Sequence, residues 1–211
     1  MHERDPNRPV TVINRFEVKD DVEEFEREFR EHSQFLRRRA DFDFLVTVGL
    51  VDDPRVYVHL GHWRSLRGFL DTVHDDTFTE QVRRLGPKVH TEADQAVSVR
   101  RTVHEAAEIG SAGVVLIGAR VHGECAELEK RFAVLGDRCL DAGGFGGSDL
   151  LRSTVRPLSY TGLLWWRDAT HCERARASGP FREALDALRE VADVTVEHSR
   201  HVAYEGAGTC G

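Results

Sequence analysis

The stretch Pro54–Arg64, PRVYVHLGHWR, returns later in the chain as Pro157–Arg167, PLSYTGLLWWR. Proline, tyrosine, leucine, tryptophan and arginine hold matched places in both stretches, 103 residues apart. The same shift, without a gap, also aligns Phe29 with Phe132. Matches of rare residue types in one register indicate an internal repeat. The chain of 211 residues is therefore predicted to contain two copies of one module of about 100 residues.

The repeat predicts where the modules begin and end. The first module is predicted to span residues 1–104 and the second residues 113–205. Residues 105–112, EAAEIGSA, are expected to link them, and residues 206–211 to form a flexible tail.

Hydrophobic periodicity predicts the same order of elements in each module. In the first, an alternating β-branched strand precedes a helix whose apolar residues recur every three or four positions. A hairpin, a helical stretch with a break near residues 73–76 and a last strand follow. The predicted ranges are Val10–Val18 for the first strand, Phe42–Val51 and Arg55–Trp63 for the hairpin, Ser65 to about Leu85 for the helical stretch, and Val89–Val103 for the last strand.

This βαββαβ order is typical of a four-stranded antiparallel sheet with both helices on one face. Strand residues of both parities are often apolar, as in Val10–Ile13, which indicates that both sheet faces are buried. We therefore expect an α+β fold in which two ferredoxin-like modules pack sheet to sheet as an intramolecular, pseudo-dimeric α+β barrel.

Composition limits the partners of the chain. It is 40% hydrophobic and 31% charged, an ordinary globular balance, with a formal net charge of −7. A negative net charge argues against nucleic acid and anionic membranes, which attract clustered cations. No apolar stretch reaches the roughly 18 residues of a membrane span, and the cysteines form no CxxC pair. We expect a cytoplasmic protein that binds neither nucleic acid nor membrane.

The sequence resembles two tandem copies of the domain of the antibiotic biosynthesis monooxygenase family, which belongs to the dimeric α+β barrel superfamily. The resemblance covers nearly the whole chain and is carried by diffuse motifs. These are Gly144-Phe145, Leu150-Leu151-Arg152-Ser153, Tyr160, Trp166-Arg167-Asp168 and Pro180-Phe181-Arg182 in the second copy, and Asn14-Arg15-Phe16, Tyr57, Trp63, His74 and Phe78 in the first.

The resemblance implies several functions. The family includes cofactor-independent oxygenases that convert aromatic polyketide anthrones to quinones, haem-degrading enzymes, and proteins of unknown role. The haem branch carries a histidine four residues after the phenylalanine of the second helix. Val82 and Leu185 stand there in this chain, so we expect no haem.

The two copies serve as controls for each other. At four predicted inward-facing positions the first copy is polar and the second is not. These pairs are Asn14 and Ile117, His32 and Leu135, His59 and Gly162, and His74 and Ala177. Buried polar groups need partners, so their grouping in one module indicates either a structural network or a ligand site.

Periodicity predicts where these side chains point. Strand alternation places Asn14 on the face of Phe16, and His59 on the face of Tyr57 and Trp63. In the family this is the sheet face beneath the helices, where the pocket lies. His32, on the buried stripe of the first helix, should point toward the same space.

Structural alternatives stay open for several of these residues. His32 could be an ordinary core histidine, and His74 could be exposed near the helix break. Trp63 recurs as Trp166, so it could serve packing in both copies.

The prediction from these observations is a cofactor-independent monooxygenase of secondary metabolism. It would oxidise an electron-rich aromatic substrate, of anthrone or phenol type and polyketide-like, with O₂ to a quinone. His59 or His74 would act as base, and Asn14 would donate to the substrate oxygen. Trp63 and Tyr57 would form an aromatic wall, and Trp63 could help protonate the peroxide. The predicted catalytic residues are thus Asn14, His59, Trp63 and His74, and the predicted substrate-binding residues are Phe16, His32, Tyr57 and Phe78.

No metal or cofactor is expected. His59-x-x-His62 and His198-x-x-His201 have tempting spacing, but an offset of three on a strand sends side chains to opposite faces. Two alternatives stay open: a polyketide cyclase or isomerase in the same pocket, and a non-catalytic ligand-binding accessory protein. The second module is expected to be mainly structural, and the chain could form a homodimer.

Overall fold

The computed structural model describes residues 5–104 and 113–206. The predicted linker, and the predicted tail from residue 207 onward, lie outside the described residues. The described part of the first sequence copy contains four strands, three α-helices and a 3₁₀ turn. In order, these are β1 (Val10–Val18), α1 (Val22–Leu36), β2 (Phe42–Leu50), β3 (Val56–Trp63), α2 (Leu66–Val73), α3 (Asp76–Leu85), the turn Gly86–Lys88 and β4 (Val89–Val103).

The second sequence copy repeats this order of strands and α-helices. Each of its strands begins and ends 103 residues after its counterpart, so the elements follow the register of the sequence repeat. The α+β class is therefore confirmed. The elements are β5 (Gly113–Val121), α4 (Cys125–Asp141), β6 (Phe145–Ser153), β7 (Ser159–Trp166), α5 (Ala169–Ala177), α6 (Gly179–Arg189) and β8 (Ala192–Gly206).

Side-chain caps explain why the predicted helical stretch is two helices. Ser65 begins α2 by accepting a hydrogen bond from the amide of Gly68, and Asp75 begins α3 by accepting from two amides of its first turn. Asp168 and Ser178 cap α5 and α6 at the matched positions. No helix within the described ranges combines the length and the apolar character that crossing a membrane requires.

The described residues form two compact units, which differ from the two sequence copies at the long strands. The first unit comprises residues 5–49, 53–95 and 202–206, and the second residues 50–52, 96–104 and 113–201. Strand β4 thus begins in the first unit and ends in the second, and β8 does the reverse.

Within each unit the hydrogen-bonded strands follow the same pattern. The order is β4-β1-β3-β2-β8 in the first unit and β8-β5-β7-β6-β4 in the second. The paired strands are antiparallel, as in the registers of β1 with β3 and of β5 with β7. The expected packing of sheet against sheet stays a prediction.

The helices of the two units are anchored to different extents. Among the residues of α2 and α3, only Thr72 is buried. The matched helices α5 and α6 bury six residues, namely Cys172, Ala175, Phe181, Ala184, Leu185 and Leu188. Helices α2 and α3 therefore lie over the sheet of the first unit without a fully buried apolar side chain of their own.

Candidate functional site

Three polar side chains form a row across the sheet of the first unit. Asn14 of β1 lies opposite His59 of β3, which in turn lies opposite Thr47 of β2. Thr47 and His59 are buried, and the Thr47 hydroxyl is 3.0 Å from Nδ1 of His59. The Phe29 ring of α1 meets the His59 ring edge to face at 5.1 Å. The row therefore lies on the sheet face that the helices cover, as the sequence predicted for Asn14 and His59.

Gly61 has no side chain where two ring nitrogens approach the strand on this face. A Cβ atom placed on Gly61 would lie 3.2 Å from Nε2 of His59 and 3.6 Å from Nε1 of Trp63. Both nitrogens thus flank the position where a side chain is missing. An indole N–H is only a donor, so at least one hydrogen-bond donor borders this side-chain-free position, which we call the Gly61 gap.

Burial sets the charge of His59. Desolvation, with a smaller contribution from the nearby His32, lowers the pKa of His59 from 6.5 to about 3. The imidazole is therefore neutral near pH 7 and a weak base, and the role of base that the sequence suggested for His59 stays a prediction. When the Thr47 hydroxyl donates to Nδ1, the remaining nitrogen Nε2 carries the proton and becomes a donor beside the Gly61 gap.

Trp63 is held by aromatic neighbours. Its ring packs edge to face against Phe42 at 5.5 Å and Phe69 at 5.8 Å. Trp166 of the second unit packs against Phe145 at 5.3 Å, so part of this arrangement is shared. Packing therefore fixes the indole in place.

Phe16 and Tyr57, both predicted to bind substrate, lie in an aromatic cluster below His59. Phe16 contacts Phe29 at 5.3 Å, and Tyr57 donates a hydrogen bond to Glu26 at 2.7 Å. Tyr160 and Glu129 of the second unit repeat this bond at 2.8 Å. The bond is thus part of the shared fold.

His32 joins α1 to α3. Its Nδ1 atom is 2.7 Å from Oε1 of Gln81, and its ring lies 5.4 Å from that of Phe78. Burial lowers the pKa of His32, although the bond to Gln81 partly opposes the shift. The predicted residues His32 and Phe78 therefore meet at the crossing of α1 and α3.

His74, by contrast, is exposed at the end of α2. Within the described chain, His74 has no ring contact or hydrogen bond to the side chains around the Gly61 gap. The structure therefore does not bring it together with Asn14, His59 and Trp63.

A belt of five polar residues divides the helix-side core of the first unit. Five elements supply one each: Asn14 from β1, His32 from α1, Thr47 from β2, His59 from β3 and Gln81 from α3. One apolar cluster, around Phe42, Trp63 and Leu36, lies on one side of this polar belt. A second cluster, around Phe25, Phe29 and Tyr57, lies on the other side.

The second unit has no such division among its described residues. Its helix-side core is one cluster that includes Ile117, Leu135, Leu150 and Ala184, which match four residues of the polar belt. At the fifth position, Gly162 is covered by Phe132, because a Cβ there would lie 2.4 Å from the phenylalanine ring. The matched position of Gly61 holds the buried Leu164, so the second unit has a side chain where the first has none.

Sequence reasoning missed Thr47, Gly61 and Gln81. Comparison of the copies carried the signal for all three, because the second copy has Leu150, Leu164 and Ala184 at those places. A glycine matched by a leucine indicates a position where the first copy lacks a side chain, just as a polar residue matched by an apolar one indicates a need for a hydrogen bond.

Within residues 5–104 and 113–206, no three histidine, cysteine, aspartate or glutamate side chains are grouped so that they could hold a metal ion.

No protein-family model matches the sequence, and no curated protein matches it at the level of sequence. Solved structures do match. A protein from Fusobacterium nucleatum, provisionally described as a monooxygenase, has a TM-score of 0.77 at 10% identity, with 95% of each chain covered. One from Lactobacillus acidophilus, with the same provisional description, has a TM-score of 0.72 at 10% identity, covering 95% of this chain and 97% of its own.

An anthrone oxidase-like protein also shares the fold. Its TM-score is 0.70 at 14% identity, with 98% of this chain and 95% of the other covered. Likenesses at such low identity establish a common fold and leave the reaction to be argued from the site.

Proposed function

We propose that the chain is a cofactor-independent monooxygenase of the antibiotic biosynthesis monooxygenase type, with one active site, at the Gly61 gap of the first unit. The observation that carries this proposal is the Gly61 gap itself, flanked by Nε2 of His59 and Nε1 of Trp63. The matched place in the second unit is filled by Leu164. The anthrone oxidase-like neighbour supports the substrate class through its name.

The substrate supplies the electrons in this reaction. An anthrone or phenol of polyketide type becomes a delocalised anion once a proton is removed, and that anion transfers one electron to O₂. Superoxide and the substrate radical combine to a peroxide, which loses water. The CH₂ carbon of an anthrone becomes a carbonyl, with one oxygen atom from O₂, and the other oxygen atom leaves as water.

The residues around the Gly61 gap stabilise the anion. His59 and Trp63 each present a ring N–H toward the substrate oxygen, and donors placed in a dry site are worth about 10²–10³-fold in rate each. Asn14, which lies opposite His59 on the neighbouring strand, adds an amide donor. Phe78 and Phe16 supply aromatic surface at either side, which suits a flat polycyclic ring.

Oxygen uptake tests the proposal. The purified protein should consume O₂ when given an anthrone under air, with one quinone formed per O₂ and without added flavin, metal or NAD(P)H. His59→Ala and Asn14→Ala should each slow this turnover.

Other results would redirect the assignment. Conversion of a polyketone without oxygen would identify a cyclase or isomerase in the same gap. A bound coloured aromatic compound that is never turned over would identify a ligand-binding accessory protein.

A further inference from the structure

The proposed reaction requires a group that accepts the substrate proton, and the residues around the Gly61 gap are poorly suited to that role. Asn14 and Trp63 have no basic nitrogen. Burial lowers the pKa of both His59 and His32, but only for His32 does a hydrogen bond, to Gln81, oppose the shift, so His59 is the less suited acceptor. His74 is exposed at the end of α2.

We propose that His32 is the proton acceptor of this reaction and that Gln81 is its positioning residue, at the floor of the cleft between α1 and α3. This inference rests on the proposed function, because it names the base of the same site. The family resemblance does not imply a proton-accepting role for His32 or a positioning role for Gln81.

The hydrogen bond to Gln81 determines which nitrogen of His32 is basic. Oε1 of Gln81 is an amide oxygen, which can only accept, and it lies 2.7 Å from Nδ1 of His32. Nδ1 therefore carries the proton, and Nε2 holds a lone pair. Phe29, Phe35 and Phe78 contact the ring and fix its plane.

His32 is also near the rest of the site. The Phe29 ring lies 5.9 Å from His32 and 5.1 Å from His59, so both histidines contact one aromatic side chain. Phe78 contacts His32 and packs in the same apolar cluster as Trp63. A flat substrate over the Gly61 gap would thus approach the edge of His32.

The cleft gives His32 an exchange route with solvent. It is partly open, has room for about one water molecule, with a volume of about 20 Å³, and is lined by Glu28, Glu31, His32, Gln81, Arg84 and Leu85. Arg84 of α3 lies 3.6 Å from Glu28 and 4.0 Å from Glu31, both of α1.

The charged groups facing His32 therefore oppose one another. The two glutamates favour the imidazolium, whereas Arg84 and a protonated His59 disfavour it. Burial lowers the pKa of His32, which keeps it neutral and able to accept a proton near pH 7.

The matched crossing in the second unit is closed. Leu135 and Ala184 take the places of His32 and Gln81. Arg131 of α4 donates to the carbonyl oxygen of Ala187 in α6 and pairs with Glu190 at 2.6 Å. The second unit thus uses this crossing to hold two helices together.

The proton balance is complete with His32 as the only acceptor. Nε2 takes a proton from the CH₂ carbon, and the anion reduces O₂ and forms the peroxide anion. The imidazolium returns its proton to that peroxide. His32 then takes the remaining C–H proton as the O–O bond breaks, and the proton leaves with hydroxide as water.

The pH dependence of kcat/KM for anthrone oxidation tests the inference. His32→Gln should lower kcat/KM by about 10²–10⁴-fold near pH 7, with recovery at alkaline pH where solvent deprotonates the anthrone. Gln81→Glu should raise the pKa of His32, because a carboxylate stabilises the imidazolium, and should move the acidic limb of the profile upward by about one pH unit.

Gln34→Glu is the matched control, since it makes the same chemical change at an exposed position of α1 and should leave the limb in place. The assignment of His32 would be overturned if the acidic limb of the pH profile stayed in place in Gln81→Glu, or if His32→Gln kept full activity.

Nitrogen NMR separates this inference from the proposed function. The His32 signals should report a proton on Nδ1 and none on Nε2, and dihydroxyanthraquinone should shift the Nε2 signal. A proton on Nε2, or an Nε2 signal unmoved by the bound probe, would refute the role of His32 whatever the activity. An inactive wild-type protein with the expected NMR response would instead refute the oxygenase reaction.

Discussion

The helix sides of the two units share their elements, caps and tyrosine–glutamate bonds but differ in what fills them. In the first unit the polar belt lies between two apolar clusters. In the second unit the same elements enclose one continuous apolar core. This backbone can evidently be packed without polar residues, so folding alone does not require the polar belt.

The polar belt also has an energetic cost. A buried polar group left without a partner costs about 1–3 kcal/mol, and apolar residues of suitable shape avoid that cost. The first unit keeps three buried polar side chains in the polar belt, His32, Thr47 and His59, which need hydrogen-bond partners, and it has a glycine, Gly61, where the second unit has a leucine. The difference is what a ligand site imposed on one of two similar modules would produce.

Filling the gap should have the largest effect. Gly61→Leu introduces into the first unit the leucine that the second unit has at this position. The new side chain would lie against His59 and Trp63. We expect kcat/KM for anthrone oxidation to fall by about 10³-fold, because both donors lose access to the substrate. Leu164→Met is the control and should leave turnover unchanged. Full turnover in Gly61→Leu would place the site elsewhere.

Replacing Asn14 should separate activity from stability. Asn14→Ile introduces the residue of the second unit, which suits a strand better than asparagine. We expect turnover to fall by about 10²-fold while the free energy of unfolding stays equal or rises by about 1 kcal/mol. Denaturant unfolding and oxygen uptake measure the two quantities. A parallel loss of both would mean that Asn14 holds the fold.

The helices over the two sheets should differ in their tolerance of truncation. Leu185 of α6 is buried, whereas the matched Val82 of α3 is 46% exposed. We expect Leu185→Ala to lower the free energy of unfolding by about 2–5 kcal/mol and Val82→Ala by less than about 0.5 kcal/mol. Equal losses in denaturant titrations would show that α3 is as firmly anchored as α6.

Acid should destabilise the protein partly through His59. Its folded pKa of about 3 lies below the unfolded value of 6.5, so only the unfolded chain takes up a proton between these limits. Stability is therefore lost as the pH falls through 6.5 and continues to fall toward 3. Between about pH 6.5 and 5 the loss should approach 2 kcal/mol.

The variant His59→Gln isolates this contribution, because it removes the titrating group and keeps a side chain that can bond to Thr47. Its stability should depend less steeply on pH than that of the wild-type protein. Identical slopes would mean that His59 titrates in the folded state as it does in the unfolded chain.

Local patterns in the sequence account for most of the fold. Alternation placed Val10–Val18 as a strand, and the three-to-four spacing of Phe25 and Phe29 placed α1. The division of β4 and β8 between the units could not be predicted, because it depends on hydrogen bonds to distant strands. Pairing with distant strands produces no periodic pattern in the sequence.

The residues of the polar belt were predicted in part. Comparison of the copies found Asn14, His32 and His59, since a polar residue facing an apolar counterpart is conspicuous. It did not reveal the charge of His59, because burial depends on the packing of Phe29 and other side chains. Nor could it show that His74 is exposed, since the side chain's direction depends on where α2 ends.

A calorimetric titration with dihydroxyanthraquinone tests the central claim most directly, since it counts binding sites without requiring turnover. We predict one site per chain in the wild-type protein, loss of that site in Gly61→Leu, and unchanged binding in Leu164→Met. Two equivalent sites per chain, or binding that survives in Gly61→Leu, would contradict a single site in the first unit.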